Sequence, residues 1–179
     1  MVVVLLLVAA GAGVLLRELQ GGAAVRASGP PASPTSVLAA ADQPGPKSVS
    51  LVADVAAHPQ AEQVRTLLQD YFHAINTGDY ELWRSTVTAD QVRDTAWGAW
   101  HQQYRSTLDG NIVVQRLEPR PGGGLVALLS FTSVQDPADA PRDLPVRCLR
   151  WRVSYPLVSE AGELRIGPAA PTAALHAAC

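Results

Sequence analysis

Basic charge is scarce and scattered in this chain of 179 residues. Lys47 is the only lysine, the other basic residues are 13 arginines, and the formal net charge is −2. The arginines form no block, so the sequence lacks the basic patch typical of nucleic-acid-binding domains. Walker, G-x-G-x-x-G, H-E-x-x-H and G-x-S-x-G motifs are all missing as well. The chain therefore carries none of these signatures of nucleotide-binding, zinc-protease or serine-hydrolase sites.

Cysteine is also rare, since the chain has only Cys148 and the C-terminal Cys179. Neither stands in a C-x-x-C spacing, so the sequence predicts no metal site, and no motif indicates a cofactor. We predict a disulfide between them, because small exported domains often need covalent links; the alternative is two unrelated thiols. Such a bridge closes a loop of about 30 residues and contributes about 3 to 4 kcal/mol in the chain-entropy model.

The N-terminus carries an apolar run, VVVLLLVAAGAGVLL, over residues 2–16. As a helix this run spans about 22 Å, less than the roughly 30 Å of a bilayer core, although Arg17 can snorkel and extend it. We predict a membrane anchor over residues 1–19, or alternatively a signal peptide cleaved before Ser28. No basic residue precedes the run, which a start codon placed too late would explain. A buried core helix fits less well, because a linker unsuited to packing follows.

Residues 20–57 are rich in Pro, Ala, Gly and Ser and bury too little surface to offset their ordering entropy. We predict a disordered tether, with a short helix or strand as the alternative for residues 50–57. The orientation signals disagree: Arg17 and Arg26 after the apolar run favour a cytoplasmic side, whereas the cysteine pair favours an oxidising one. We expect a single-pass cell-membrane protein with its domain extracytoplasmic, or a secreted protein after signal cleavage.

Helical periodicity begins near Pro59, which suits a first helical turn. The first helix is predicted from an i, i+3, i+4, i+7, i+8, i+11 series of apolar residues: Val64, Leu67, Leu68, Tyr71, Phe72 and Ile75. Gly78 is placed to end this helix, and Asp79 to cap a second, shorter one. Thr88 and Gln91 resemble a capping box that opens a third helix reaching residue 108.

Beyond Asp109-Gly110 the apolar period changes to two. Strands are predicted at residues 112–118, 125–134, 148–157 and 164–166. In the third of these, alternation sends Leu149, Trp151, Val153, Tyr155 and Leu157 to one face and Cys148, Arg150, Arg152 and Ser154 to the other. Helices followed by strands predict an α+β domain over residues 58–179, with a curved four-stranded antiparallel sheet around three helices.

The segment LLQDYFHAINTGDYELW resembles the first helix and following turn of the NTF2-like (SnoaL-like) superfamily. FTSVQDPADAP, CLRWRVSYPLV and GELRIGP with a terminal Cys are similar to a group of secreted or membrane-anchored actinobacterial proteins of unknown function. The resemblance covers residues 59–179. It implies a cone-shaped pocket and frequent dimerisation through the sheet. It implies no particular reaction, because this fold hosts isomerases, dehydratases, cyclases and silent binding modules.

Aromatic and polar residues predicted to reach the pocket are Tyr71, Trp83, Trp100, His101, Tyr104, Trp151 and Tyr155. Each tyrosine is also consistent with ordinary core packing and a wet hydroxyl tip. No Asp/His pair can be assigned, since Asp79 is already a cap and His73 lies half a turn from the buried stripe. Arg150 and Arg152 form a candidate face for an acidic partner, or else a solvated strand edge that discourages aggregation.

These features predict a non-catalytic domain that binds a small apolar ligand or a protein partner from a membrane-tethered position. The first alternative is an isomerase, cyclase or dehydratase acting on a small hydrophobic substrate, with Tyr71, Tyr104 or His101 as its polar groups. The second alternative is a structural dimerisation module whose sheet face carries Arg150 and Arg152. Charge and motif content leave no expectation of nucleic-acid binding.

Overall fold

The computed structural model describes residues 43–170 and 172–179. The predicted anchor over residues 1–19 and most of the predicted tether lie outside the described residues. Within the described ranges, no helix has both the length and the apolar character needed to cross a membrane.

The domain is α+β, as predicted, with helical segments first and most strands after them. The helices are α1 (Ala53–Ala56), α2 (Ala61–Thr77), α3 (Tyr80–Thr86), α4 (Ala89–Asp94) and α5 (Trp97–Tyr104). The strands are β1 (Ser50–Leu51), β2 (Leu108–Pro119), β3 (Leu125–Val134), β4 (Cys148–Glu160), β5 (Glu163–Ile166) and β6 (Ala174–Ala178). The predicted count of four strands is wrong, because the sheet has six.

The sheet is mixed rather than purely antiparallel. Its order is β1-β2-β3-β4-β5, with β1 parallel to β2 and the other neighbours antiparallel. Strand β3 occupies one edge of β4, so β5 and β6 share the other edge in two stretches. Two register shifts in β2 are β-bulges, which bend the strand and give the sheet its curvature.

Strand β6 was not predicted, because the sequence ALHAA is rich in alanine, which has low β-propensity. The strand forms through pairing with β4 from Leu149 to Val153. The predicted disulfide between Cys148 and Cys179 is confirmed, with an S–S distance of 2.09 Å and a sequence separation of 31 residues. The bridge fixes the end of β6 to the start of β4.

Helix α2 buries the predicted apolar stripe, and all six residues of the series are buried. The predicted helix ends are confirmed as well. Gly78 adopts the left-handed conformation with φ of 69°. The Asp79 Oδ1 atom accepts a hydrogen bond of 2.9 Å from the Leu82 N–H and caps α3. The inner face of β4 packs into the same core as α2 through Val153 and Leu157, and Leu149 on the same face is also buried.

The predicted third helix over residues 88–108 is wrong, because the chain leaves helical geometry at Thr95 between α4 and α5. The Tyr80 hydroxyl donates a hydrogen bond of 2.6 Å to the Thr95 carbonyl, which takes that carbonyl out of a helical ladder. The capping box is also not formed. The Thr88 side chain makes no cap hydrogen bond, and the Gln91 amide donates instead to the Gly167 carbonyl at 3.3 Å.

The structured domain begins before the predicted boundary at residue 58. Val49 and Val55 are only 5% and 3% exposed and belong to the core. The Val49 N–H donates to the Gln69 Oε1 atom of α2 at 2.9 Å. Residues 50–57 form both β1 and α1, so the short-element alternative for this stretch is the one observed.

The predicted start of this strand at residue 112 is wrong, because β2 begins at Leu108 and contains both Asp109 and Gly110. The backbone of residues 44–45 crosses Gly110 so closely that a Cβ atom there would lie 2.6 Å from the Gly45 carbonyl oxygen and 2.7 Å from that of Pro44. Glycine is required here by this contact and not by a turn. The correction moves Asp109 into the interior, where it takes part in the site below.

Candidate functional site

A cavity of about 440 Å³ opens between the inner face of the sheet and helices α2 and α5. Its volume falls within the roughly 300 to 1,000 Å³ typical of small-molecule sites. Carbon-rich side chains make up much of its wall: Phe72, Ile75, Phe131, Trp151 and Val153. We call this space the main cavity. Its walls suit a molecule that is largely apolar.

Three tyrosines from different elements meet in the wall of the main cavity. Tyr71 lies on α2, Tyr104 ends α5, and Tyr155 lies on β4. Burial raises the pKa of Tyr71 well above its ordinary value; hydrogen bonding with Tyr155 raises it further, and hydrogen bonding with Tyr104 lowers it. Burial also raises the pKa values of Tyr104 and Tyr155. All three therefore keep their hydroxyl protons at neutral pH and can donate hydrogen bonds.

Asp109, whose side chain ends in a carboxyl group, lines the same cavity as the three tyrosines and is only 3% exposed. The side chain of Asn76, near the end of α2, forms hydrogen bonds with both the N–H and the carbonyl group of Asp109. The Asp109 N–H donates to the Asn76 Oδ1 atom at 2.6 Å, and the Asn76 Nδ2 atom donates to the Asp109 carbonyl at 2.9 Å. The Ser133 hydroxyl donates a short hydrogen bond to the Asp109 carboxylate. These contacts fix the carboxyl group in the cavity wall.

Burial raises the pKa of Asp109 from 3.8 to about 7, although the hydrogen bond from Ser133 acts to lower it. Among the described residues, no lysine, arginine or histidine forms an ion pair with this carboxylate. Charge on Asp109 also acts to raise the pKa of each of the three tyrosines. The carboxyl group is therefore divided between its acid and its anion near neutral pH, and it can donate or accept a proton there.

The sequence patterns did not reveal Asp109, because the alternation that predicts a strand begins only at residue 112 and leaves Asp109 before the strand. One signal was present in β3. The inward positions of this strand are apolar except for Ser133, which is buried and lies directly opposite Asp109 in the β2–β3 register. A lone hydroxyl on an apolar strand face needs a polar partner, since buried polar groups are hydrogen-bonded.

The predicted pocket residues divide into three groups. Tyr71, Tyr104, Trp151 and Tyr155 line the main cavity. Trp83 and Trp100 line a smaller chamber that shares the three tyrosines with the main cavity. His101 lines neither space, because its ring stacks on Trp97, which is 59% exposed, at a centroid distance of 5.2 Å. His101 therefore lies outside the lining of both spaces, and His73 is exposed as expected.

Two side-chain pairs hold the loop of residues 135–147 across one side of the main cavity. At one end the Arg105 Nε atom donates to the Asp139 carboxylate at 2.9 Å. At the other end the His176 Nε2 atom lies 3.1 Å from the Asp143 Oδ2 atom. His176 also packs against Trp151, at a ring-centroid distance of 4.7 Å. The terminal strand β6, which was not predicted, therefore helps to position a wall of the cavity.

The partner-face candidates lie on the outer face of β4, and both are exposed. The Arg150 Nη2 atom donates to the carbonyls of Ala178 and Cys179, at 3.0 Å and 2.9 Å. This arginine therefore stabilises the C-terminus beside the disulfide. Arg152 makes no ion pair with another described residue. The described part of the chain also contains no group of three or more His, Cys, Asp or Glu residues that could hold a metal ion.

The family of the chain has to be inferred from its own residues. No protein-family model, curated protein or solved structure matches it. The resemblance to the NTF2-like superfamily therefore stays an interpretation of the quoted segments and the α+β order.

Proposed function

We propose that the domain binds a small, largely apolar molecule in the main cavity and holds one polar group of it on the tyrosines and Asp109. We propose further that it is an extracytoplasmic NTF2-like domain, tethered to the membrane by the N-terminal apolar run. The ordering of the cavity wall by β6 and the disulfide supports an oxidising location, where such bridges persist.

The observation that carries the proposal is the position of Asp109. A buried carboxyl group without a cationic partner destabilises a fold when it ionises, so its place in the wall of an apolar cavity supports a functional role. The indole N–H of Trp151, in the same wall, has no acceptor among the described residues. Both groups suit a ligand with a hydroxyl or carbonyl group at one end.

The proposal is tested by calorimetric titration of the full-length protein, disulfide intact, with 2-naphthol and with 2-methylnaphthalene. The two probes share a ring system, and only the first has a hydroxyl group. We expect both to bind and 2-naphthol to bind more tightly. Tyr155→Phe removes a hydroxyl and keeps the ring. This substitution should weaken the binding of 2-naphthol about two- to tenfold, as expected for one hydrogen bond, and leave the affinity for 2-methylnaphthalene unchanged.

Tyr80→Phe is the matched control, because the Tyr80 hydroxyl donates to the Thr95 carbonyl and Tyr80 does not line the main cavity. This variant should bind both probes as the wild type does. The proposal fails if neither probe binds. It also fails if Tyr80→Phe and Tyr155→Phe weaken 2-naphthol equally.

A second candidate function is proton transfer on a small hydrophobic substrate, as in an isomerase, cyclase or dehydratase. The observation that favours it is the raised pKa of Asp109, about 7, because a general acid or base works best with a pKa near the working pH. In this candidate function Asp109, and not His101, is the group that transfers the proton. The test is exchange of the α-protons of 2-tetralone in deuterated water, followed by NMR. Wild type should accelerate exchange and Asp109→Asn should not; equal rates for both proteins exclude this function for Asp109.

A further inference from the structure

The three tyrosines also line a second space of about 200 Å³, which we call the inner chamber. It is lined by Trp83 of α3, Gln91 of α4 and Trp100 of α5, and it shares Tyr71, Tyr104 and Tyr155 with the main cavity. None of its lining residues is an acid, a lysine, an arginine or a histidine. The chamber is therefore suited to a neutral group and not to an ion.

Three polar atoms of the lining side chains have no partner among the described residues. Trp83 and Trp100 are 5% and 1% exposed, and neither indole N–H finds an acceptor. The Gln91 Nε2 atom donates to the Gly167 carbonyl, which identifies the other amide atom as the oxygen. This Oε1 atom is buried and receives no hydrogen bond. Buried polar groups are nearly always satisfied, so two donors and one acceptor here indicate a ligand.

The unpartnered atoms are complementary to a hydroxyl group. A hydroxyl oxygen can accept from an indole N–H while its proton is donated to an amide oxygen. The rings of Trp83 and Trp100 have centroids 5.8 Å apart, so both lie beside the same small volume. Val87 and Ile166 contribute carbon surface to the same wall. The chamber holds more than a single water molecule, whose share of liquid volume is about 30 Å³.

We infer that the inner chamber is a separate binding site for a small neutral alcohol, whose oxygen accepts from Trp83 or Trp100 and whose proton goes to Gln91. The body of the alcohol packs on the indole rings and the aliphatic wall. The three tyrosines line both spaces, but Trp83, Gln91 and Trp100, which would hold this alcohol, line only the inner chamber. Water has the same hydroxyl chemistry, so the experiment must separate water from an alcohol.

The test uses the full-length protein with ¹⁵N-labelled tryptophan, which gives one indole N–H signal for each of four tryptophans. Cyclohexanol is the probe, and tetrahydropyran, which accepts hydrogen bonds but cannot donate them, is its analogue. We expect cyclohexanol to shift the Trp83 and Trp100 signals saturably and to leave the signal of the exposed Trp97 in place. Trp97→Phe assigns that signal and should not change the affinity. Tetrahydropyran should bind about two- to tenfold more weakly, since it cannot donate to Gln91.

Gln91→Leu removes the acceptor and keeps the approximate size of the side chain. This substitution should lower the affinity for cyclohexanol to that for tetrahydropyran, and it should leave the affinity for tetrahydropyran unchanged. The comparison of the two probes on wild type tests the inference even if this variant does not fold. Equal affinities for the two probes overturn it, as do equal shifts of all four signals. The inference is also overturned if the indole N–H groups contact water alone and cyclohexanol does not displace that water. The Trp151 signal reports on the main cavity, so failure of the two proposals can be told apart.

Discussion

Replacing Asp109 by asparagine should remove a large pH dependence from the stability of the domain. The pKa of Asp109 is 3.8 in its ordinary state and about 7 in the folded protein. The folded state therefore holds the proton more tightly than the unfolded state between these two values. Stability from this group is fully present below about pH 4, falls as pH rises to about 7, and is level above that. Asparagine resembles the protonated acid and cannot ionise.

The size of the effect follows from the shift of about 3 pKa units, at 1.36 kcal/mol each, which gives about 4 kcal/mol. The quantity to measure is the free energy of unfolding in urea at about pH 4 and at about pH 8, for wild type and Asp109→Asn. We expect the stability of the variant relative to wild type to rise by about 4 kcal/mol between the two pH values. Comparing the two proteins cancels the titration of every other group.

Asp139→Asn is a control of opposite sign. Hydrogen bonds from Arg105 and Ser106 lower the pKa of Asp139, so this group adds stability that is present near neutral pH and lost in acid. The free energy of unfolding of Asp139→Asn should therefore be lower than that of wild type near neutral pH, and this difference should disappear in acid. Parallel pH profiles for wild type and Asp109→Asn would contradict this prediction, because they would mean that Asp109 ionises as freely in the fold as in the unfolded chain.

Further predictions concern the disulfide, two glycines and the outer face of the sheet. Replacing both Cys148 and Cys179 by alanine opens a loop with a separation of 31 residues, and chemical unfolding should show a loss of about 3 to 4 kcal/mol. Gly110→Ala places a methyl group against carbonyl oxygens at 2.6 Å and 2.7 Å and should lose about 2 kcal/mol or more. Gly98→Ala is its control, since nothing lies within 4 Å of the added atom; in helix α5 it should leave thermal stability unchanged or raise it slightly. Arg152→Glu tests the expected dimerisation through the sheet by analytical ultracentrifugation. A concentration-dependent dimer of wild type that the substitution weakens supports the idea, and a monomer at all concentrations contradicts it.

Local sequence patterns predicted the parts of the fold that depend on local physics. The stripe of α2 repeats with the helical period, and Gly78 and Asp79 have the chemistry required at helix ends, so each could be found without knowledge of distant contacts. The alternation in β4 predicted which face is core. The cysteine pair was predictable because only one pairing exists for two cysteines.

What the sequence did not reveal depends on distant contacts. Strand β6 forms on an alanine-rich segment because pairing with β4 and the disulfide hold it there. Gly110 is required by the crossing of residues 44–45, more than sixty positions earlier in the chain. Asp109 enters the cavity wall because Asn76 and Ser133 meet it from α2 and β3. The sequence pattern placed Asp109 before the first strand, and the most informative polar group of the site was therefore missed.

The most direct test of the proposed function is a crystal structure of the full-length protein with 2-naphthol. We expect the naphthalene ring to lie within the main cavity, against Phe72, Phe131 and Trp151, with its hydroxyl group within hydrogen-bond distance of Asp109 or a tyrosine hydroxyl. The same structure without the probe shows whether the cavity of about 440 Å³ is present before binding. A cavity closed by its own side chains, or 2-naphthol bound only on the outer face of the sheet, would contradict the account.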